Sequence, residues 1–94
     1  MTNDVDIVET RLLNAYMLMK LYTKADAFER VVRFLTENTK NNLYIKDLLD
    51  KIAHEPNLQN NNIQNYVLFI YQYLGDGLME CKQFEKSSQI YYLI

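Results

Sequence analysis

His54 and Cys81 are the side chains in this sequence that catalysis could use most readily. The chain has one histidine and one cysteine. His54 precedes Glu55 near the end of a predicted helix, a position typical of a surface residue or a C-terminal cap. Cys81 has no cysteine or histidine at zinc-ligand spacing, and its place inside a predicted helix favours a small buried thiol. Neither residue has the neighbours that a catalytic or metal site needs.

Other signatures of chemistry are also absent from the sequence. It contains no glycine-rich phosphate loop, no nucleophile elbow and no zinc motif. Asp47 and Asp50 lie beside Lys46 and Lys51, as on the solvated face of a helix. The sequence therefore predicts a protein that is not an enzyme and has no catalytic residues, metal, cofactor or small-molecule substrate.

The composition favours one small helical domain. Of 94 residues, 49% are hydrophobic, and there are two glycines and one proline. The net charge is −2 and no basic stripe is present, which argues against nucleic-acid binding. The acidic start, residues 1–6, is unlike a signal peptide, and no apolar run is long enough to span a membrane. We therefore expect a cytoplasmic or nuclear protein that does not bind membranes.

The spacing of apolar residues predicts an all-α fold of antiparallel helical hairpins with about five helices. The predicted helices cover residues 4–22, 23–36, 43–54, 63–80 and 84 to the end. Thr23 to Asp26 has the pattern of a capping box, which predicts that the second helix starts there. The sequence leaves open whether residues 4–36 form one helix or two, and a hairpin is preferred because a single helix of that length would be unusual.

The first predicted helix is apolar on more than one side. Its main stripe contains Val5, Val8, Leu12, Ala15, Met19 and Tyr22. A second stripe contains Leu13, Tyr16 and Met17. Because a helix at the edge of a domain needs only one apolar stripe, the second one predicts self-association as a homodimer. The residues expected to form the dimer face are Leu12, Tyr16, Met19 and Phe28.

Residues 71–91 carry a spaced pattern of aromatic, aliphatic and small residues. Its members are Tyr71, Leu74, Gly75, Leu78, Ser87 and Tyr91. This spacing resembles the tetratricopeptide repeat, and the resemblance implies two helices that cross where Gly75 meets Ser87. Two residues depart from the pattern, since Leu78 replaces an aromatic residue and Gly77 adds a second glycine inside the helix. Without the resemblance, the same residues predict an ordinary helical hairpin.

The resemblance implies a protein-binding function. In this family, residues of the first helix line a groove, and they map here to Phe69, Gln72, Asp76 and Met79. Residues 4–55 are interpreted as irregular lead-in helices and residues 63–94 as a repeat-like pair, within one domain of residues 1–94. This layout resembles the scaffold subunits of the anaphase-promoting complex, a cell-cycle assembly, which homodimerise through their N-terminal ends.

Two readings of the function follow from the sequence. The first is a non-catalytic interaction and self-association module of a multi-subunit assembly. The apolar end, Tyr91 to Ile94, adds the expectation that this is the N-terminal part of a longer protein. The alternative is a compact helical regulator, similar to viral Bcl-2-like proteins, that binds a partner helix in a groove.

Overall fold

The computed structural model describes residues 4–35 and 45–93, and within these ranges the chain forms five α-helices and one 3₁₀ turn. The helices are α1 (Asp4–Lys24), α2 (Phe28–Arg33), α3 (Ile45–His54), α4 (Asn61–Glu80) and α5 (Phe84–Tyr92), with the 3₁₀ turn at Pro56–Leu58. No strand occurs in the described ranges, and the predicted all-α class is confirmed. The predicted end of the second helix at Thr36, the predicted start of the third at Leu43, and Ile94 lie outside the described residues.

The chain turns between α1 and α2 at residues 25–27, later than the capping-box pattern predicts. Thr23 lies inside α1, and the residue before α2 is Ala27, whose side chain makes no capping hydrogen bond. The predicted capping box is therefore wrong. The backbone closes the turn instead: the N–H of Asp26 donates to the carbonyl of Thr23 (3.1 Å), and that of Ala27 to the carbonyl of Tyr22 (2.8 Å). This is a Schellman motif, with Asp26 at the left-handed position (φ 56°).

The turn between α4 and α5 has the same hydrogen bonds. Lys82 has a φ of 62° and occupies the left-handed position that Asp26 has in the first turn. The N–H of Lys82 donates to the carbonyl of Met79 (3.0 Å), and that of Gln83 to the carbonyl of Leu78 (2.8 Å). The α1–α2 and α4–α5 units therefore share one kind of helix–turn–helix connection.

Side chains of the asparagine- and glutamine-rich connector cap the helices on either side of it. The amide of Gln59 donates to the carbonyls of Ile52 (3.3 Å) and Ala53 (3.2 Å) at the end of α3. The side chain of Asn60 accepts from the N–H of Ile63 (2.9 Å), an N-cap that starts α4 two residues before the predicted position. These bonds link α3 to the start of α4.

The helix α4 is the centre of the fold, since α1, α2 and α5 all pack against it. The core is formed by apolar residues that recur at spacings of three and four along the helices. Its buried members are Val8, Leu12, Ala15, Met19, Val31, Ile45, Leu48, Leu49, Ile52, Leu58, Ile63, Ile70, Leu74 and Leu78. The helix α1 also packs against α2 and contacts the 3₁₀ turn at Pro56–Leu58.

Candidate interaction surfaces

The crossing of α4 and α5 brings Gly75, Ser87 and Tyr91 into contact. Ser87 is fully buried, and its hydroxyl donates to the carbonyl oxygen of Gly75 at 2.8 Å. The ring of Tyr91 lies over Gly75 so closely that a Cβ on that residue would be 2.5 Å from the Cε1 of the ring. Leu74 and Leu78 are fully buried beside the crossing, and Tyr71 is half-buried. A side chain at position 75 would therefore prevent this approach.

Gly77 has its own packing role, on the other side of α4. A Cβ at this position would lie 3.2 Å from Cγ1 of Val31, which is fully buried on α2. That distance is shorter than ordinary van der Waals contact, so α2 packs against the bare backbone of Gly77. The second glycine, a departure from the repeat pattern, is thus the point where α2 approaches α4.

Replacing glycine by alanine inside a helix usually stabilises a protein by about 1 kcal/mol. Gly75→Ala should not give this stabilisation, because its methyl group would overlap the ring of Tyr91. In a Tyr91→Ala background the ring is gone, and the same Gly75→Ala change should stabilise the chain by about 1 kcal/mol. Urea denaturation of the four chains in this double-mutant cycle measures the coupling. Additive effects of the two changes would mean that the ring does not lie over Gly75.

A hydrogen bond connects the crossing to the predicted groove. The phenol of Tyr91 donates to Oδ1 of Asp76, the residue that follows Gly75 on α4. This hydrogen bond is the main cause that raises the pKa of Tyr91 above its ordinary value of 10.0, and burial raises it further. One oxygen of the Asp76 carboxylate therefore already accepts a hydrogen bond within the chain.

Tyr91→Phe should make the stability of the chain less sensitive to high pH. Because the pKa is raised on folding, the native state holds the phenolic proton more tightly than the unfolded chain does. The resulting stabilisation is complete below about pH 10 and is lost as the pH rises through the raised pKa. The free energy of unfolding, measured by urea denaturation, should therefore fall more steeply above pH 10 for the wild type than for Tyr91→Phe.

Tyr92→Phe is the matched control for that comparison, since Tyr92 is the next residue and is 91% exposed. Its unfolding free energy should follow the wild type over the whole pH range. Equal slopes for the wild type and Tyr91→Phe above pH 10 would show that the bond to Asp76 does not contribute to the stability of the fold.

The four predicted groove residues lie along one exposed stripe of α4. These are Phe69, Gln72, Asp76 and Met79. The ring centroid of Phe69 is 5.5 Å from that of Tyr16 on α1, which also lies 5.9 Å from the rings of Tyr66 and Tyr73. This aromatic cluster borders the stripe on the α1 side. Binding of a peptide to the stripe stays a prediction.

The predicted dimer face is wrong for Leu12 and Met19. Both side chains are 0% exposed, because this side of α1 packs into the core around α4. Tyr16 is half-buried among the aromatic rings of α4, and Phe28 is half-buried at the start of α2. The four residues therefore do not form one accessible face of the folded chain.

The opposite side of α1 carries the exposed apolar residues. Leu13, Met17 and Leu21 recur at a spacing of four and are exposed, Met17 to 54% and Leu21 to 60%. We call these three residues the outer face of α1. Leu18 and Ile7, also exposed, flank it. The second apolar stripe in the sequence contains Leu13 and Met17, and continuing its four-residue spacing would have added Leu21.

His54 and Cys81, the two side chains that catalysis could use most readily, lie at the C-terminal ends of α3 and α4. The Nδ1–H of His54 donates to the carbonyl of Asp50 at 2.7 Å, within the last turn of α3. Burial, followed by the carboxylates of Glu29 and Glu80, raises the pKa of the Cys81 thiol, which disfavours the nucleophilic thiolate. Among the described residues, no group of three His, Cys, Asp or Glu side chains could hold a metal ion. None of the described helices has the length and apolar character needed to cross a membrane.

No protein-family model, curated protein or solved structure matches this chain. Its own surfaces are therefore the basis for inferring what it does. The outer face of α1 presents three exposed apolar side chains at a regular spacing of four residues. On α5 and directly after it, Phe84, Tyr92 and Leu93 are also exposed, Tyr92 to 91%, but they lack that spacing.

Proposed function

We propose that this chain is a non-catalytic protein-interaction module of a multi-subunit assembly and that it self-associates through the outer face of α1. The proposed location, cytoplasm or nucleus, rests on the sequence alone. The second apolar stripe of the sequence predicts self-association. The proposed contact residues are Leu13, Met17 and Leu21, because most residues of the main stripe are buried in the core.

The observation that carries the proposal is the exposure of these three side chains on one face of a helix. The other side of α1 is already packed, with Leu12 and Met19 completely buried, so the outer face is not needed for the core. Contiguous apolar surface of this kind is a mark of protein interaction sites on soluble chains. A two-fold dimer would cover the face on both copies with a single contact, the commonest arrangement among soluble oligomers.

Two further features support a tetratricopeptide-like module. The close approach of α5 to Gly75, with Ser87 bonded to its carbonyl, is the small-residue crossing that the repeat requires. The Schellman turns at Asp26 and Lys82 have the same hydrogen bonds and the same left-handed residue. Each turn is followed by a helix that begins with Phe-Glu, at Phe28 and at Phe84. This similarity supports α1–α2 and α4–α5 as two divergent copies of one unit.

Met17→Glu should strongly weaken self-association of the chain. The substitution places a charge on the outer face of α1, and each dimer would contain two such charges without partners. We expect the dimer to weaken about a hundredfold or more, since two large apolar contacts are lost as well. Sedimentation equilibrium at concentrations of the order of tens of micromolar would measure it, with a dimer mass for the wild type and a monomer mass for Met17→Glu.

Met79→Glu is the matched control, since it adds the same charge at an exposed methionine, 42% accessible, on the stripe of α4. It should dimerise like the wild type. A monomer mass for the wild type throughout would contradict the proposal and would favour the alternative, a monomeric regulator that binds a partner helix in a groove. If Met79→Glu dissociates the dimer and Met17→Glu does not, the contact surface lies on α4 and not on α1.

A further inference from the structure

On the side of α1 that carries the outer face, acidic residues lie near one end of the helix and basic residues near the other; Arg11 lies on a different side. Asp6 and Glu9 lie near the N-terminus of the helix, and Lys20 and Lys24 lie near its C-terminus. The Nζ of Lys20 lies over the ring of Tyr16, 6.0 Å from the ring centroid. Asp6 and Lys24 are both exposed. From Asp6 to Lys24, this side of α1 therefore has an acidic and a basic end on either side of Leu13 and Met17, and Leu21 lies between the two lysines.

These charges lie in line with the apolar residues. Asp6 is seven residues before Leu13, and Lys24 is eleven residues after it. At 100° per residue, both spacings return to within about 20° of the direction of Leu13 around the helix axis. Met17, one turn after Leu13, is within about 40° of the same direction. Acidic, apolar and basic side chains thus follow one line along the helix.

This line is complementary to itself when it is reversed. Ala15 is the midpoint between Leu13 and Met17, and it is also the midpoint between Asp6 and Lys24. Two copies of α1 placed antiparallel, and crossing at the level of Ala15, would bring Leu13 of each copy to Met17 of the other. The same placement would bring Asp6 of each copy to Lys24 of the other, at both ends of the contact.

We infer that the outer face binds a second copy of this chain in this antiparallel register, with a two-fold axis at the level of Ala15. The inference rests on the proposed self-association and specifies its geometry. Opposite charges at both ends select the antiparallel orientation, since a parallel pair would place Asp6 against Asp6 and Lys24 against Lys24. The order of charges is complementary to itself, which favours a second copy of the chain as the partner. An unrelated partner would not require that symmetry.

Charge reversal tests the orientation directly. Asp6→Lys alone would face Lys24 of the other copy, and Lys24→Glu alone would face Asp6, so each variant replaces two attractive contacts with two repulsive ones. Each dimer should be weakened by roughly five- to tenfold at low ionic strength, where exposed charges are least screened. Sedimentation equilibrium of each variant alone gives these two affinities.

An equimolar mixture of the two variants should recover the wild-type affinity. In the mixed dimer, the lysine introduced by Asp6→Lys meets the glutamate introduced by Lys24→Glu, so one end of the contact is attractive again. At the other end, the unchanged Lys24 of the first variant meets the unchanged Asp6 of the second. Sedimentation equilibrium of the mixture gives the third affinity.

The outcomes separate this geometry from the proposed function. A wild-type chain that stays monomeric overturns both. A wild-type dimer whose single variants are unaffected, or whose mixture is as weak as the single variants, overturns the antiparallel register and leaves self-association standing. Glu85→Lys, at an exposed position of α5, is the control for a charge change away from the face and should keep the wild-type affinity. Recovery in the mixture also excludes loss of helix as the cause, since mixing does not repair a destabilised α1.

Discussion

The fold depends on how closely two helices approach α4. Gly75 allows the ring of Tyr91 on α5 to lie against the α4 backbone, and Gly77 allows Val31 on α2 to do the same. The two glycines are two residues apart, so they face directions that differ by about 200° around the helix. Each costs about 1 kcal/mol in helix propensity, a cost that the burial of α2 and α5 against α4 offsets. With α5 on one side and α2 on the other, a third side of α4 is left for α1.

The position of α1 follows from this arrangement and determines which surface is free. One stripe of α1, including Leu12 and Met19, completes the core around α4 and α2. The other stripe, the outer face, projects away from the rest of the described chain and remains exposed. An ordinary surface helix carries polar residues there. In this chain Leu13 and Met17 on that side are apolar, and Asp6 and Lys24 carry charges toward the ends of the helix, which supports the proposed contact surface.

Much of the helical layout is predictable from the sequence, because apolar spacing and polar connectors are local signals. The end of α3 before Pro56 and the turn between α4 and α5 are such cases. The turn after α1 is not, because the capping-box pattern at Thr23 predicts a helix start at a position that lies inside α1. The α4–α5 turn has the same left-handed geometry, at Lys82, but the repeat-like spacing indicates its position. The choice between the two stripes of α1 is also not local. Either stripe could face the core, and the one that does is decided by where α4 packs.

The exposed methionine of α1 can show directly whether the outer face of α1 is the contact surface between two copies. Carbon-13 labelling of methionine methyl groups allows Met17, Met19 and Met79 to be followed separately by NMR while the chain is diluted. If two copies meet at the outer face, the Met17 signal should shift with concentration, while the signals of the buried Met19 and of the exposed Met79 on α4 should stay constant. A Met17 signal that does not change on dilution, or a shift confined to Met79, would contradict this contact.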